Sequence, residues 1–379
     1  MTDRKQIAAK RFFGLDFLRV LAVSMILFSH LSWIYNSNGL LGKLQDMSGF
    51  LGIELFIVLS GFLIGGLLYK QFLQDEYTLK DGSLFIYRRL VRLLPSYYLV
   101  ILLNCAGFLA FGLSVAGVWK YFLLMQNFAS PVSPFFPESW SLPVKEIGYI
   151  LAVTLLLVLS NTLVRTSKRL LFLMVVIGLI FLTLLLKIAY NINSTNSDLI
   201  QWSFNVRSVV IYRMDSVLIG VLAGYFYHNH KGFIQSKGVQ FLIVGFLLFL
   251  FLLLFITVFG FTLKRASWFW NVLCLPVVSL AICMFIPLLL QMKSPSEIVE
   301  NLVGFICKIS YSIYLLHYSF ILFLLKNLID THNYTTWQLN IFTLFYLLTT
   351  VGLSYLLYAY IEKPINQYRT KNLKLNGKQ

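Results

Sequence analysis

Two ionisable side chains stand eleven residues apart in an otherwise apolar run, Arg19 and His30 within FLRVLAVSMILFSH. Eleven residues of α-helix make three turns plus about 20°, so both side chains fall on one face, about 16 Å apart along the axis. Asp16 lies on nearly the same face. Because imidazole can act as a general base or nucleophile near neutral pH, this stripe predicts an acid–base site. The alternative is that Arg19 anchors the helix at an interface and His30 hydrogen-bonds a neighbouring helix.

Other ionisable residues also interrupt apolar stretches. Glu54 is the single charge early in GIELFIVLSGFLIGG, Arg213 and Asp215 lie in SVVIYRMDSVLIG, and His317 lies in ISYSIYLLHYSF. Such groups are expensive inside a membrane and usually face a cavity or a pathway. We expect His317 at a depth comparable with His30, so that the two histidines either share a cavity or make separate packing contacts.

The stretch that contains Glu54 also carries small residues at helical spacing. Small side chains let two membrane helices approach closely, so we interpret this pattern as a packing face, with Ser60 as a possible site residue. The small residues are Ser60, Gly61, Gly65 and Gly66.

An arginine cluster precedes a proline in LFIYRRLVRLLPSYYL. Arg88 and Arg92 are one helical turn apart, Arg89 is adjacent, and Pro95 predicts a helix break or the start of the next span. Guanidinium groups bind phosphate through paired hydrogen bonds, so the cluster suits a phosphate-bearing ligand. Ordinary positive charge on a cytoplasmic loop is the alternative.

The composition indicates a multispanning membrane protein. The chain has 379 residues, of which 58% are hydrophobic and 12% charged, and its mean hydropathy is +0.77. The net charge of +16 comes without a basic stripe interleaved with aromatics, which argues against a nucleic-acid partner. The four cysteines are isolated and lack metal-ligand spacing, so we predict no metal site.

About ten stretches are long and apolar enough to span a bilayer, which predicts an all-α polytopic membrane protein in a single domain over residues 1–379. Lys and Arg concentrate in alternate connections, which predicts that both termini are cytoplasmic. The Pro-rich outer segment 114–143 is interpreted as a re-entrant or interfacial lid. The predicted spans are 14–35, 50–69, 93–113, 144–164, 170–189, 206–227, 239–261, 267–290, 303–325 and 339–361, followed by a basic tail at 363–379.

Seven motifs, in family order over nearly the whole chain, resemble the acyltransferase-3 family of bacterial inner-membrane proteins. They are GLDFLRVLAVSMILFSH, ELFIVLSGFLI, RRLVRLLPSYY, ESWSLPVKEIGYI, YRMDSVLIG, ISYSIYLLH and IEKP.

The resemblance implies a chemistry and a location. The family transfers acyl groups, usually acetyl, from acyl-CoA on the cytoplasmic side to a hydroxyl of an extracytoplasmic sugar, such as lipopolysaccharide O-antigen, a lipid-linked glycan or another envelope polysaccharide. His30 would be the catalytic histidine, Arg19 its partner, and the arginines of RRLVR contacts of the coenzyme's phosphates. Acyl-CoA, a glycan acceptor and membrane lipids are therefore the expected partners, and the bacterial inner membrane the expected location.

The chain departs from the family pattern at one position. Lys145 stands where a glutamate is usual, and Glu146 follows it. Adjacent helical residues point about 100° apart, so a local shift near Pro143 would be needed for Glu146 to take the role. Otherwise the role is dispensable here or the protein is impaired. Many relatives carry a soluble esterase-like domain after the last span, and we expect none in this chain.

Two other functions fit the same buried charges. A transporter or flippase would use Arg, Asp and His as a proton or substrate pathway. A scaffold for envelope synthesis would tolerate changes at both His30 and Arg19.

The His30→Ala variant separates these hypotheses. We expect it to abolish acyl transfer because it removes the base or nucleophile, while the protein stays inserted and folded. The measurement is transfer of label from acetyl-labelled coenzyme A in membranes with matched amounts of inserted protein. Near-normal transfer by the variant would contradict the mechanism.

Overall fold

The computed structural model describes the chain over most of its length, and in that part it is helical without β-strands. The basic residues before Phe12 and after Tyr368, which entered the topology prediction, lie outside the described residues. The described residues are 12–74, 77–194, 196, 198–257, 260 and 262–368. The α-helices are α1 (Phe13–His30), α2 (Ser32–Tyr35), α3 (Gly39–Phe72), α4 (Leu79–Ala110), α5 (Trp119–Phe122), α6 (Ser141–Thr162), α7 (Lys168–Ile192), α8 (Leu199–Trp202), α9 (Met214–Asn229), α10 (Lys231–Ser236), α11 (Gly238–Thr257), α12 (Cys274–Leu289), α13 (Glu297–Leu316), α14 (Phe323–Leu328) and α15 (Thr336–Leu357).

Nine helical segments in the described part are long and apolar enough to cross a membrane, which confirms the predicted polytopic architecture. Several of them join an α-helix to a short 3₁₀ or π segment. They are Phe13–Tyr35, Gly39–Phe72, Leu79–Ala110, Pro137–Thr162, Lys168–Ile192, Gly238–Ile256, Phe269–Leu289, Glu297–Leu328 and Thr336–Tyr368.

The predicted span 206–227 is built differently. A π segment at Ser203–Arg207 and a 3₁₀ turn at Val210–Tyr212 precede α9, which has only 16 residues. At 1.5 Å per residue α9 is about 24 Å long, short of the roughly 30 Å hydrocarbon core. Its first eight residues are all buried. The helix α9 packs among α3, α7 and α12. Since protein surrounds it, α9 does not need the length of a helix that crosses the bilayer in contact with lipid.

The predicted break at Pro95 is wrong, because α4 continues through it from Leu79 to Ala110. A proline in a helix removes a donor and disturbs the preceding turn, and membrane helices tolerate this when neighbours satisfy the affected groups. The carbonyl that loses its helical donor is that of Val91, four residues before Pro95. Nearby, the Tyr311 hydroxyl of α13 donates a hydrogen bond to the Leu93 carbonyl, 3.0 Å away, and ties this turn of α4 to α13. The arginine cluster is therefore part of the same rigid helix as the span that follows.

Small residues allow α3 and α9 to pack closely, as the spacing predicted. A methyl group at Gly61 would overlap the Val217 carbonyl oxygen, and one at Gly65 would lie 2.6 Å from the Val221 Cα. At Gly66 a methyl group would meet no atom within 4 Å. The close approach therefore depends on Gly61 and Gly65, not on every glycine of the motif.

We expect Gly61→Ala to destabilise the protein by about 1–3 kcal/mol because α3 and α9 would have to move apart. The matched control is Gly66→Ala on the same helix, which should leave stability nearly unchanged. Thermal unfolding of both variants in detergent measures the difference. Equal midpoints for the two variants would contradict the packing.

Candidate active site

A cavity of about 760 Å³ opens where α3 ends and α4 begins, beside Lys70, Gln74 and Asp81. We call this end of the molecule the mouth side and the opposite end the far side. Of the predicted site residues, six contribute to the cavity wall. They are Arg19, Ser60, Arg88, Arg89, Arg92 and Glu146.

Arg89 and Glu146 form a two-pronged ion pair in the cavity wall. Arg89 Nε donates to Glu146 Oε2 at 3.0 Å, and Arg89 Nη2 donates to Glu146 Oε1 at 2.6 Å. The guanidinium also lies 4.2 Å from the centre of the Tyr149 ring, whose hydroxyl is 3.0 Å from that of Ser60. Three helices thus hold this arginine in one orientation.

Lys145 and Glu146 both line the cavity, and α6 is regular through Pro143. Glu146 is committed to Arg89, whereas Lys145 has no hydrogen bond or ion pair with any described residue. The departure from the family pattern therefore places an added positive charge in the cavity wall.

Asp16 reaches the cavity through Cys307 of α13. The Cys307 thiol donates to Asp16 Oδ1 at 3.1 Å, and Arg19 Nη1 donates to the Cys307 sulfur at 3.5 Å. Cys307 and Arg19 both line the cavity. The predicted acid and base pair of α1 is thus joined to α13 at the mouth side.

The two predicted histidines lie together, beyond the deep end of the cavity. Their ring centres are 5.0 Å apart, and the Tyr318 ring lies 4.3 Å from that of His30. His317 and Tyr318 begin a π-helical turn, His317–Leu322, that interrupts the rod of α13 and α14. Such turns are frequent at functional sites because they change the direction of side chains within a helix.

Backbone contacts orient His317. Its Nδ1 lies 2.9 Å from the Tyr314 carbonyl oxygen, which can only accept, so Nδ1 carries a proton, and in the neutral imidazole Nε2 is then a hydrogen-bond acceptor. His317 is fully buried, and its Nε2 has no partner among the described residues. The Tyr314 side chain lines the cavity. Tyr314 therefore connects the cavity wall to the histidine pair.

A buried carboxylate that the sequence analysis did not single out lies next to this pair. Glu138 Oε1 accepts hydrogen bonds from the Ser319 backbone N–H at 2.9 Å and from its hydroxyl at 2.8 Å. Asn104 of α4 donates to the same hydroxyl at 2.9 Å. Glu138 belongs to the motif ESWSLP. An ionisable residue within a membrane segment usually marks a functional site, so this criterion could have identified Glu138 from the sequence.

Part of segment 114–143 folds over the far side of these groups. Tyr121, Phe135 and Phe136 are buried, and Asn127 of the same segment donates to the carbonyls of Trp140 and Ser208. Burial raises the pKa of the Tyr121 phenol to about 12, so this side chain stays a neutral donor to the Ser133 carbonyl. The buried part of the segment therefore packs into the bundle.

The remaining predicted residues, Glu54, Arg213 and Asp215, do not line the cavity but form a separate buried cluster. Arg213 donates to Glu54 and to Ser216, and it lies 3.9 Å from Asp215. Two basic members, Lys187 and Arg207, were not singled out from the sequence. Lys187 pairs with Asp215, and Arg207 Nε lies 3.5 Å from Glu54 Oε1. Mutual pairing explains how four of these charged side chains can be fully buried, with Arg207 only partly exposed beside them.

The geometry defines a class of protein, a helical membrane protein with a basic internal cavity near a pair of histidines, of which one is buried and the other half-buried. A family model described as an acyltransferase domain matches residues 12–359. The chain belongs to this family, the acyltransferase-3 family that its motifs resemble.

Several bacterial proteins are similar to this chain. A Staphylococcus aureus (strain COL) protein that is provisionally named an O-acetyltransferase is 28% identical over 385 residues, which cover 95% of this chain and 58% of the relative. The peptidoglycan O-acetyltransferase OatA of Listeria monocytogenes is 26% identical over 61% of this chain and 42% of its own length. The chain thus spans little more than half of such relatives. No solved structure matches it.

The buried ion pairs generate a stability prediction. Lys187→Met would leave Asp215 as a buried charge without its lysine, and we expect a loss of about 3–5 kcal/mol. The double variant Lys187→Met, Asp215→Asn removes both charges and should recover part of this loss. Thermal or denaturant unfolding in detergent measures both. A double variant no more stable than Lys187→Met would contradict the pairing.

Proposed function

We propose that this chain is an integral membrane O-acyltransferase, an O-acetyltransferase, that takes its acyl group from acyl-CoA at the mouth side. The acceptor is a hydroxyl of an envelope sugar at the far side. Membership of the acyltransferase family supports the reaction class, and the names of the relatives support acetyl as the acyl group. The observation that carries the proposal is the basic cavity, one of whose lining residues, Tyr314, has its ring centre 6.1 Å from that of His317 in the histidine pair.

The cavity suits the donor in size and charge. Its volume of about 760 Å³ lies within the range of pockets for drug-sized ligands. Seven Lys and Arg and three Asp and Glu line it, so the wall is basic. Coenzyme A carries several phosphate charges, and guanidinium groups bind phosphate oxygens in pairs. We place the phosphates near Arg88 and Arg92 and the thioester toward Ser141 and Tyr314.

His30 can perform the transfer in two ways. In direct transfer it takes the proton of the acceptor hydroxyl, the oxygen attacks the thioester carbonyl, the C–S bond breaks, and the proton passes to the departing thiolate. In the two-step route the unprotonated imidazole nitrogen attacks the thioester carbonyl, the C–S bond breaks, and the departing thiolate takes the ring N–H proton. The acceptor hydroxyl then attacks the acyl-imidazole, the C–N bond breaks, and the hydroxyl proton returns to the imidazole. In both routes His317, whose ring centre lies 5.0 Å from that of His30, packs against the reacting imidazole and helps to position it.

The relatives favour one acceptor among the envelope glycans. Relatives from Listeria monocytogenes and Bacillus subtilis carry names that specify peptidoglycan O-acetylation. We therefore place peptidoglycan sugars first, ahead of lipopolysaccharide or a lipid-linked glycan. Transfer from a cytoplasmic donor to such an acceptor requires a multi-pass protein in the cytoplasmic membrane.

The test is transfer of radiolabel from acetyl-coenzyme A into the peptidoglycan, lipopolysaccharide and lipid fractions of membranes that contain the chain. Label that depends on His30 supports the proposal, and the labelled fraction identifies the acceptor. Absence of label from every fraction, with inserted protein present, would contradict it and favour a transporter.

A cavity variant tests the donor assignment. We expect Arg88→Gln to raise the KM for acetyl-coenzyme A about tenfold or more because a charge-assisted hydrogen bond to phosphate is lost. The control is Lys231→Gln, which removes a basic residue of α10 outside the cavity and should leave the KM unchanged. Equal KM values for the two variants would remove Arg88 from the donor site.

A further inference from the structure

A row of aromatic rings leads from the far surface to His30. Trp33 of α2 is 52% exposed, and its indole packs edge-on against Tyr318 with ring centres 5.4 Å apart. Tyr318 in turn lies 4.3 Å from His30. His30 is half-buried, whereas His317 is fully buried. Of the two imidazoles, His30 is therefore the one that a molecule outside the bundle can approach.

The indole is held in place. Lys326 of α14 donates a hydrogen bond to the Trp33 carbonyl oxygen at 2.5 Å, and its ammonium lies 5.7 Å from the centre of the indole ring. An ammonium group has three donors. Two donors thus remain at the edge of the exposed indole for a ligand that lies on it.

We propose that Trp33 is the stacking platform of an acceptor-sugar subsite at the far side, with Tyr318 as the wall between this platform and His30. The apolar face of a sugar ring packs on an exposed indole, and the ring hydroxyls point outward to polar donors such as Lys326. A sugar in this position presents its neighbouring hydroxyl groups toward Tyr318 and His30. This inference rests on the proposed function, because it needs a sugar as the acceptor.

A second explanation for an exposed tryptophan near a helix end is anchoring at the membrane interface. Anchoring requires an amphipathic side chain at the correct depth, but it does not require contact with the residues that surround His30. A substitution by leucine removes the indole from both roles, so the measurement separates them: only the stacking role changes the KM for the acceptor in protein that is correctly inserted. Trp33→Leu is such a change, and Trp33→Phe retains a smaller ring.

The chain offers a matched control for Trp33. Trp337, at the start of α15, is 71% exposed and has no ring contact with any described residue. Its replacement by leucine makes the same chemical change at another exposed position of the far side. An effect of Trp33→Leu that Trp337→Leu lacks is therefore specific to the platform.

The experiment uses the full chain in lipid nanodiscs with saturating radiolabelled acetyl-coenzyme A. Peptidoglycan glycan strands, lipopolysaccharide and chitotetraose are titrated separately as acceptors. For the acceptor that the wild type uses, we expect Trp33→Leu to raise the KM about tenfold, with kcat and the KM for acetyl-coenzyme A little changed. Trp33→Phe should give a smaller increase, and Trp337→Leu should give none.

Each alternative result has a distinct meaning. If Trp33→Leu and Trp337→Leu have the same acceptor KM, or if Trp33→Leu lowers kcat alone, the platform is overturned while the acyltransferase proposal stands. If the wild type acylates none of the three glycans, the sugar acceptor fails, and the proposed function fails with the platform. Should Trp33→Leu not insert, Trp33→Phe decides by the same comparison.

Discussion

An unpaired charge inside a membrane protein costs free energy because the apolar surroundings cannot solvate it, and the structure depends on this constraint. Inside the helical bundle, an ionisable group must meet an opposite charge, a fixed dipole or a water-filled cavity. Glu54 meets Arg213, Asp215 meets Lys187, and Glu146 meets Arg89. The partners of these pairs are 159, 28 and 57 residues apart in the chain, respectively. The need to pair these charges therefore favours particular helix neighbours. The close contact of α3 with α9, for example, is the arrangement in which Glu54 can pair with Arg213.

The same constraint separates the two ends of the candidate site. A cavity whose charged lining residues are mainly basic opens at the mouth side, and part of segment 114–143 packs against the bundle at the far side. The histidine pair and Glu138 lie between these regions, in contact with polar groups of α4, α13 and the π turn. This arrangement suits a reaction in which a polyanionic donor and a sugar acceptor approach from opposite sides. Neither substrate then has to cross the bilayer whole.

Irregular turns within helices recur where polar side chains are needed. The π segment His317–Leu322 carries His317, Tyr318 and Ser319, and the π segment Ser203–Arg207 ends at Arg207. A third, Tyr358–Glu362, ends at Glu362, which bonds with Ser312 and lines the cavity. A π turn redirects the side chains that follow it and leaves the helix intact. The bundle can therefore place polar groups inward without exposing backbone to lipid.

The sequence by itself determined the helical membrane class and the approximate positions of the long apolar helices, because hydrophobic length is a local property of the chain. It also marked Arg19, His30, the arginine cluster and His317, since ionisable residues in apolar runs are conspicuous without any structure. Only the tertiary structure decided which of these residues meet. It placed Arg19 and Arg89 on the cavity, His30 beside His317, and Glu54 with Arg213 in a separate cluster. The structure also shows that Lys187 and Arg207 belong to that cluster and that α4 continues through Pro95. Helix neighbours, partner choice and π turns arise from packing between distant segments, and no local pattern in the sequence encodes them.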